Sequence, residues 1–315
     1  MSEVIIETKS LKTHFRQRRK AVVKAVDNVS LKIYEGETLG LVGESGCGKS
    51  TLGRTILNLV PATEGSVYLR GENISRISAK KMWAYRKKMQ LIFQNPYSSL
   101  NPRMTVRESV EAPLKIYKED KKTREERVRQ ILEDVGLGSQ YLERFPHEFS
   151  GGQRQRIVIA RALVLNPEFV VCDEPVSALD VSVRAQVLNL MGELQEKRHL
   201  TYLFISHDLS VVKHISDRVA VMYLGEILEL ADKEEIFTHP AHPYTQALLS
   251  AIPLPSVDRK RKRIHLQGDV ANVYDMPKGC KFHTRCPYAD DICRSKRPEF
   301  QEIAAGHYCA CHRML

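Results

Sequence analysis

The chain has 315 residues, 43% hydrophobic and 27% charged, with a formal net charge of +10. That length suits one large domain or two modest ones, and that balance supplies a packed core and excludes wholesale disorder. No apolar run reaches the roughly 20 residues that cross a bilayer, and the start, MSEVIIETKS, lacks the basic-then-apolar layout of a secretion signal; a soluble, cytosolic chain with a leaning toward anionic partners is expected.

VSLKIY (29–34) and SVYLRG (66–71) alternate apolar with polar residues and predict antiparallel strands. Short apolar runs predict buried strands of an α/β sheet at TLGLVG (38–43), MQLIFQ (89–94), FVVCDE (169–174) and TYLFIS (201–206). Each runs into a polar residue, which is where open α/β sheets place ligands. Between Pro96 and about Leu165 the pattern turns helical. Within it, Val128, Ile131, Leu132 and Val135 recur three or four apart, a stripe that plain core packing explains. Leu224 and Gly225 separate RVAVMY from EILELA as the turn of a hairpin. After HPAHPYTQALLSAIPLP (239–255) the composition shifts, and the basic run DRKRKR (258–263) reads as a solvated face. A boundary near Pro253 divides the chain into 1–252, with a helical part at about 96–165, and 253–315.

GESGCGKST (43–51) fits G-x-x-x-x-G-K-[ST], and it lies between an apolar strand and the helical stretch STLGRTILNLV. Glycines let backbone N–H groups turn inward around phosphate oxygens, and the helix start adds its dipole. The loop residues Gly43, Glu44, Ser45, Gly46, Cys47, Gly48, Lys49, Ser50 and Thr51 are therefore candidates for nucleotide contact. Lys49 would reach the β- and γ-phosphates and Ser50 would ligate Mg²⁺. Cys47 puts a thiol inside that loop.

A phosphate site gives meaning to CDEPVSALD (172–180), where two carboxylates stand side by side at the end of an apolar strand. Asp173 would hold Mg²⁺ opposite Ser50, and Glu174 would polarise the water that attacks the γ-phosphate. Capping of a following helix is the plainer role for such a pair, and it weakens once a phosphate loop shares the chain.

FSGGQRQR (149–156) resembles the signature of ABC-transporter ATPases, and it precedes the acidic strand as in that family. Gln94 in IFQNP, SALD (177–180) and His207 in ISHD agree in order, so the likeness covers residues 1 to about 252. The resemblance implies an ABC-type P-loop nucleotide-binding domain: a RecA-like core, an antiparallel β subdomain and a helical signature subdomain. It further implies that Ser150, Gly151, Gly152, Gln153 and Asp180 serve ATP held by a partner, in a head-to-tail dimer enclosing two ATPs. Gln94 would sense nucleotide, share in Mg²⁺ binding and couple to a transmembrane partner, while His207 would contact the γ-phosphate. Phe15 matches the aromatic that stacks on adenine, with Tyr34 a second choice; an aromatic beside a strand is more often core. Phe149 stands where the family usually has Leu.

Five cysteines (Cys280, Cys286, Cys293, Cys309 and Cys311) fall in the last stretch, which reads GCKFHTRCPYADDICRSKRPEF and ends in GHYCAC. With HPYTQALLSAIP it resembles the dipeptide/oligopeptide importer branch, which includes nickel importers, and specifically its F-type subunit. The resemblance implies a small Cys-rich C-terminal extension carrying a 4Fe–4S cluster on Cys280, Cys286, Cys293 and Cys309. Zinc is the alternative, with Cys311 a substitute for Cys309 and His283, His307 and His312 as further ligands.

The expectation is then an ATPase that energises di- and oligopeptide import from the cytoplasmic face of the membrane. Its partners would be a homologous D-type ATPase, two permease chains and, indirectly, an extracytoplasmic peptide-binding protein, with no nucleic acid. Nickel or murein peptides are alternative cargoes. A soluble ABC protein acting on ribosomes or DNA is a different class of reading; such chains usually carry two cassettes or long coiled-coil insertions, and neither is present here.

Overall fold

The structure is a computed structural model that describes residues 3–16, 22–252, 264, 266 and 276–314. The expected boundary at Pro253 and the basic run 258–263 lie outside the described residues. In chain order the strands are β1 (Val4–Arg16), β2 (Val22–Tyr34), β3 (Thr38–Val42), β4 (Glu64–Leu69), β5 (Glu72–Asn73), β6 (Met89–Ile92), β7 (Phe169–Asp173), β8 (Thr201–Ser206), β9 (Arg218–Tyr223), β10 (Glu226–Asp232), β11 (Gln301–Ala304) and β12 (His307–Cys309). The helices are α1 (Lys49–Ile56), α2 (Ala79–Lys88), α3 (Pro96–Ser99), α4 (Val106–Ile116), α5 (Lys121–Asp134), α6 (Gly151–Leu163), α7 (Val181–Arg198), α8 (Leu209–Ile215), α9 (Lys233–Thr238), α10 (Pro243–Ser250) and α11 (Asp291–Ser295). Among the described residues no helix is long and apolar enough to cross a membrane.

Contacts divide the chain into two compact units, one built mainly from Arg76–Ile205 and the other from Val4–Ile33, Glu37–Ser75 and Ser206–Leu315. In the first, β6, β7 and β8 pair in parallel, with Met89 beside Phe169 and Asp173 beside Ile205. Every residue of β7 is buried, which is why FVVC is continuously apolar rather than alternating. Helices begin where a side chain satisfies free N–H groups: Thr105 and Glu108 form a capping box on α4, and Asp120 caps α5. The apolar stripe Val128, Ile131 and Leu132 is the buried face of α5. The run 89–94 stops being strand at Ile92, leaving Phe93 and Gln94 exposed.

The second unit contains a four-stranded sheet in the order β2-β1-β4-β5. It also holds the strands β11-β12-β10-β9-β3, antiparallel except where β3 and β9 run parallel. The expected hairpin is present: Tyr223 pairs with Glu226 across Leu224 (φ 42°) and Gly225 (φ 84°). Positive φ at both turn residues matches the twist of the flanking strands. β11 and β12 extend the β10 edge, so the C-terminal segment is built onto this unit's sheet.

Candidate functional site

The phosphate loop leaves β3 and enters α1. Gly48 ends it at φ 109°, and a Cβ there would lie 1.9 Å from the Ala25 carbonyl oxygen, so only glycine fits. Gly43 is confined too, since a Cβ would meet Met222 O at 2.1 Å. No side chain caps α1, whereas Ser78, Thr105, Asp120, Ser150, Asp180 and Asp208 cap other helices. The cap residue, Gly48, thus adds no side-chain oxygen that would compete with an anion at the helix start. Lys49 is 4% exposed. Its ammonium donates to the carbonyl oxygens of Gly43 (2.7 Å) and Glu44 (2.9 Å) and lies 3.8 Å from Cys47 Sγ. Burial pushes the Cys47 thiol up, with Lys49 opposing, so this sulfur stays protonated and packs as a small apolar group.

The acid pair sits in the other unit. Asp173, 3% exposed, ends β7. Glu174 then adopts φ 49°, a left-handed conformation that a non-glycine residue adopts at a cost of about 1–2 kcal/mol. Its N–H donates to Ile205 O at 3.0 Å, and Ser177 Oγ donates to its carbonyl oxygen at 3.1 Å. This kink turns the half-buried carboxylate out of the strand, where Gln94 Nε2 donates to Glu174 Oε2 at 2.9 Å. Two residues 80 apart in sequence are thus brought together.

Ser150 and Gln153 form a capping box at the start of α6: Gln153 N–H donates to Ser150 Oγ (3.3 Å), and Ser150 N–H to Gln153 Oε1 (3.1 Å). A Cβ on Gly152 would meet Val183 Cγ1 of α7 at 2.3 Å, so that glycine permits close helix packing. Asp180 caps α7 by accepting from Val183 N–H at 3.0 Å, a bond that holds its carboxyl below the usual range. His207 is exposed just after β8, in the unit that contains the phosphate loop. Phe15, near the end of β1, is 42% exposed, and Tyr34 ends β2 half-buried.

Residues 26–177 match the family described as ABC transporter, and residues 228–293 match the oligopeptide/dipeptide transporter C-terminal region. Oligopeptide transport ATP-binding protein AppF of Bacillus subtilis (strain 168) is 53% identical over 320 residues, covering 98% of this chain and 97% of that protein. Oligopeptide transport ATP-binding protein OppF of the same organism is 52% identical over 314 residues, covering 99% of this chain and 97% of its own. This chain belongs to the ABC-transporter ATP-binding family. Its nucleotide-binding fold is also similar, at 30% identity and a TM-score of 0.66, to the dimeric post-hydrolysis state of the ATP-binding cassette MJ0796 bound to ADP and Pi, covering 73% of this chain and 99% of that one.

For this ABC ATP-binding chain the iron–sulfur expectation is corrected. Among the described residues no group of three or more His, Cys, Asp or Glu side chains could hold a metal ion. That removes both the 4Fe–4S assignment on Cys280, Cys286, Cys293 and Cys309 and its zinc alternative. In the fold, Cys309 lies buried in β12 opposite Glu229, and Cys293 sits in α11. Burial, followed by neighbouring thiols, pushes Cys280 up to about 12. Burial likewise raises Cys286 and Cys293.

Sequence reasoning missed Lys281 and Arg285 in the same stretch and Tyr244 in α10. Arg285 and Tyr244 reach Glu44 of the phosphate loop, and Lys281 is buried beside Asp27 and Glu226. The signal for Lys281 and Arg285 was the pair of basic residues bracketing Phe282 in KFHTR, inside a segment whose cysteines drew the attention.

Proposed function

We propose that this chain is the ATP-hydrolysing subunit that energises import of di- and oligopeptides through a membrane ABC transporter. One observation carries the reading: a phosphate loop with its lysine held against the loop carbonyls, in a chain that joins the ABC match to the oligopeptide/dipeptide C-terminal match. The ATPase part would be residues 1–252 with a helical signature subdomain at about 96–165, followed by an importer extension at 253–315. Head-to-tail pairing with a homologous D-type ATPase would build two composite ATP sites. Two permeases would be the membrane partners, a peptide-binding protein an indirect one, and the cytoplasmic membrane face the location.

In this reading the amides of residues 43–51 and the Lys49 ammonium bind the β- and γ-phosphates. Ser50, Gln94 and Asp173 offer oxygen atoms, the donor type that Mg²⁺ takes; when bound, the ion neutralises phosphate charge. Glu174 takes the proton of the attacking water, and the Gln94 hydrogen bond aims its carboxylate. His207 steadies the γ-phosphate, and Phe15 stacks on adenine. Ser150, Gly151, Gly152, Gln153 and Asp180 face the partner's ATP, with the Ser150–Gln153 box keeping the start of α6 in shape. Gln94 and the segment after it carry closure to a permease.

The test is uptake in a strain lacking this gene, complemented with wild type or with Glu174→Gln. Labelled oligopeptide uptake should return only with wild type, and phosphate release by the purified transporter should fall by roughly 10²–10⁴-fold in the variant. Unchanged oligopeptide uptake in the deletion strain, with loss of nickel or murein-peptide uptake instead, would overturn the cargo.

A further inference from the structure

Glu44, the second residue of the phosphate loop, is held at three points. Its backbone N–H donates to Tyr244 Oη at 3.1 Å. Its carboxylate accepts from Arg285 Nη1 and Nη2 at 2.8 and 3.1 Å. Its carbonyl oxygen accepts from Lys49 Nζ at 2.9 Å. A bidentate guanidinium–carboxylate pair fixes direction as well as distance. With side chains 9% and 26% exposed, this pair is only partly screened by solvent.

The same segment reaches the loop a second time. Lys281, 6% exposed, donates to Leu224 O at 2.8 Å, and its ammonium lies 3.1 Å from Asp27 and 2.6 Å from Glu226. Leu224 is in the left-handed region, which a leucine rarely adopts. The next residue, Gly225, donates its N–H to Cys47 O at 2.8 Å and accepts from Asp27 N–H at 2.8 Å. Between Lys281 and Arg285, Phe282 is fully buried against Tyr223 and Tyr244, with ring centroids 5.4 and 5.3 Å away. Residues 281–285 therefore touch the loop at Glu44 directly and at Cys47 through the 224–225 turn, on either side of Ser45 and Gly46.

We propose that Lys281 and Arg285, together with Tyr244, are positioning residues for the phosphate loop: they set Glu44 and Cys47, and through them the place of the Lys49 ammonium. The proposal rests on reading residues 43–51 as the nucleotide site. It makes nucleotide affinity depend on the docking of the C-terminal segment. An apolar contact of equal volume would join the two segments as firmly; a bidentate pair also orients Glu44, whose carbonyl oxygen holds Lys49.

The experiment titrates the full-length chain with MgADP and with AMP, and records the thermal midpoint without nucleotide. Arg285→Ala should weaken MgADP roughly tenfold, in line with loss of a charge-assisted hydrogen bond. Arg285→Lys should fall between it and wild type. AMP has no β-phosphate for Lys49 to address, so its affinity should stay unchanged. Glu44→Gln combined with Arg285→Ala should bind MgADP no more weakly than Arg285→Ala alone, because both changes remove one contact. Tyr244→Phe keeps the ring and removes only the hydroxyl; it should also weaken MgADP and it decides the matter if Arg285→Ala does not fold. Wild-type MgADP affinity in both Arg285→Lys and Tyr244→Phe, or equal losses for ADP and AMP, would overturn the proposal. Failure of the wild-type chain to bind MgADP would overturn the nucleotide-site reading instead.

Discussion

The phosphate loop at 43–51 and the C-terminal segment at 276–314 both hold irregular backbone in one shape, and they do it with different chemistry. The loop relies on backbone geometry: Gly48 at φ 109° pressed against Ala25 O, and a lysine turned back onto the loop's own carbonyls. The C-terminal segment relies on charges from distant parts of the chain, Lys281 with Asp27 and Glu226, Arg285 with Glu44 and Arg297 with Glu226, and on the His307–Glu229 hydrogen bond. A shape made by glycines resists any added Cβ and ignores pH. A shape made by buried ions needs both partners, and each carboxylate must balance burial against attraction. Beside the one Lys281 ammonium, burial prevails at Glu226 and raises its pKa, whereas at Asp27 burial, the largest single influence, is outweighed by Lys281, Arg297 and Lys24 acting together, and the pKa is lowered.

That contrast can be broken from each side. The largest effect is expected from Gly48→Ala, which adds a Cβ 1.9 Å from a carbonyl oxygen in a left-handed backbone. The left-handed backbone alone costs about 1–3 kcal/mol and the clash adds to it, so MgADP binding measured by calorimetry should fall on the order of 100-fold. Next comes Lys281→Met, which strands Asp27 and Glu226 with less counter-charge. Breaking a buried pair costs about 3–5 kcal/mol, read as a lower denaturant midpoint. Unchanged stability there would mean that charges do not hold the segment.

A smaller, pH-dependent effect should come from His242, 5.7 Å from Phe282 between ring centroids. It is 1% exposed, and burial pulls its pKa down to about 3. The unfolded imidazole binds its proton near the ordinary value of about 6.5. Acid therefore favours the unfolded chain, and stability should decline as pH falls from about 6.5 toward about 3. His242→Asn, which keeps an acceptor for the Tyr244 N–H, should flatten that part of the stability curve. An unaltered slope would assign the acid sensitivity to other groups.

The core strands were legible because β3, β6, β7 and β8 are short runs whose side chains are nearly all buried, and burial writes itself into composition. β11 and β12 were not legible. Their residues, QEIA and HYC, carry little strand signal, and they form by pairing with the free edge of β10. At the candidate site, GESGCGKST announced its own geometry, since each glycine answers a local steric demand. Sequence order could not show that Gln94 donates to Glu174, nor that Glu174 turns at φ 49°. The cysteines misled as well: a run of them reads as a ligand set, yet among the described residues no group of three or more His, Cys, Asp or Glu side chains could hold a metal ion.

By itself the sequence determined what depends on neighbours along the chain: the buried runs, the hairpin turn at Leu224-Gly225 and the phosphate loop with Lys49. Only the tertiary structure decided what depends on partners 78 to 254 residues apart, such as His307 on Glu229, Arg285 on Glu44 and Lys281 on Asp27. The physical reason is range. Backbone sterics and hydrogen bonds to adjacent turns act over a few residues and leave a pattern, whereas an ion pair is specified by where folding brings two side chains, and a lysine or arginine reads the same whether it ends in water or in a core.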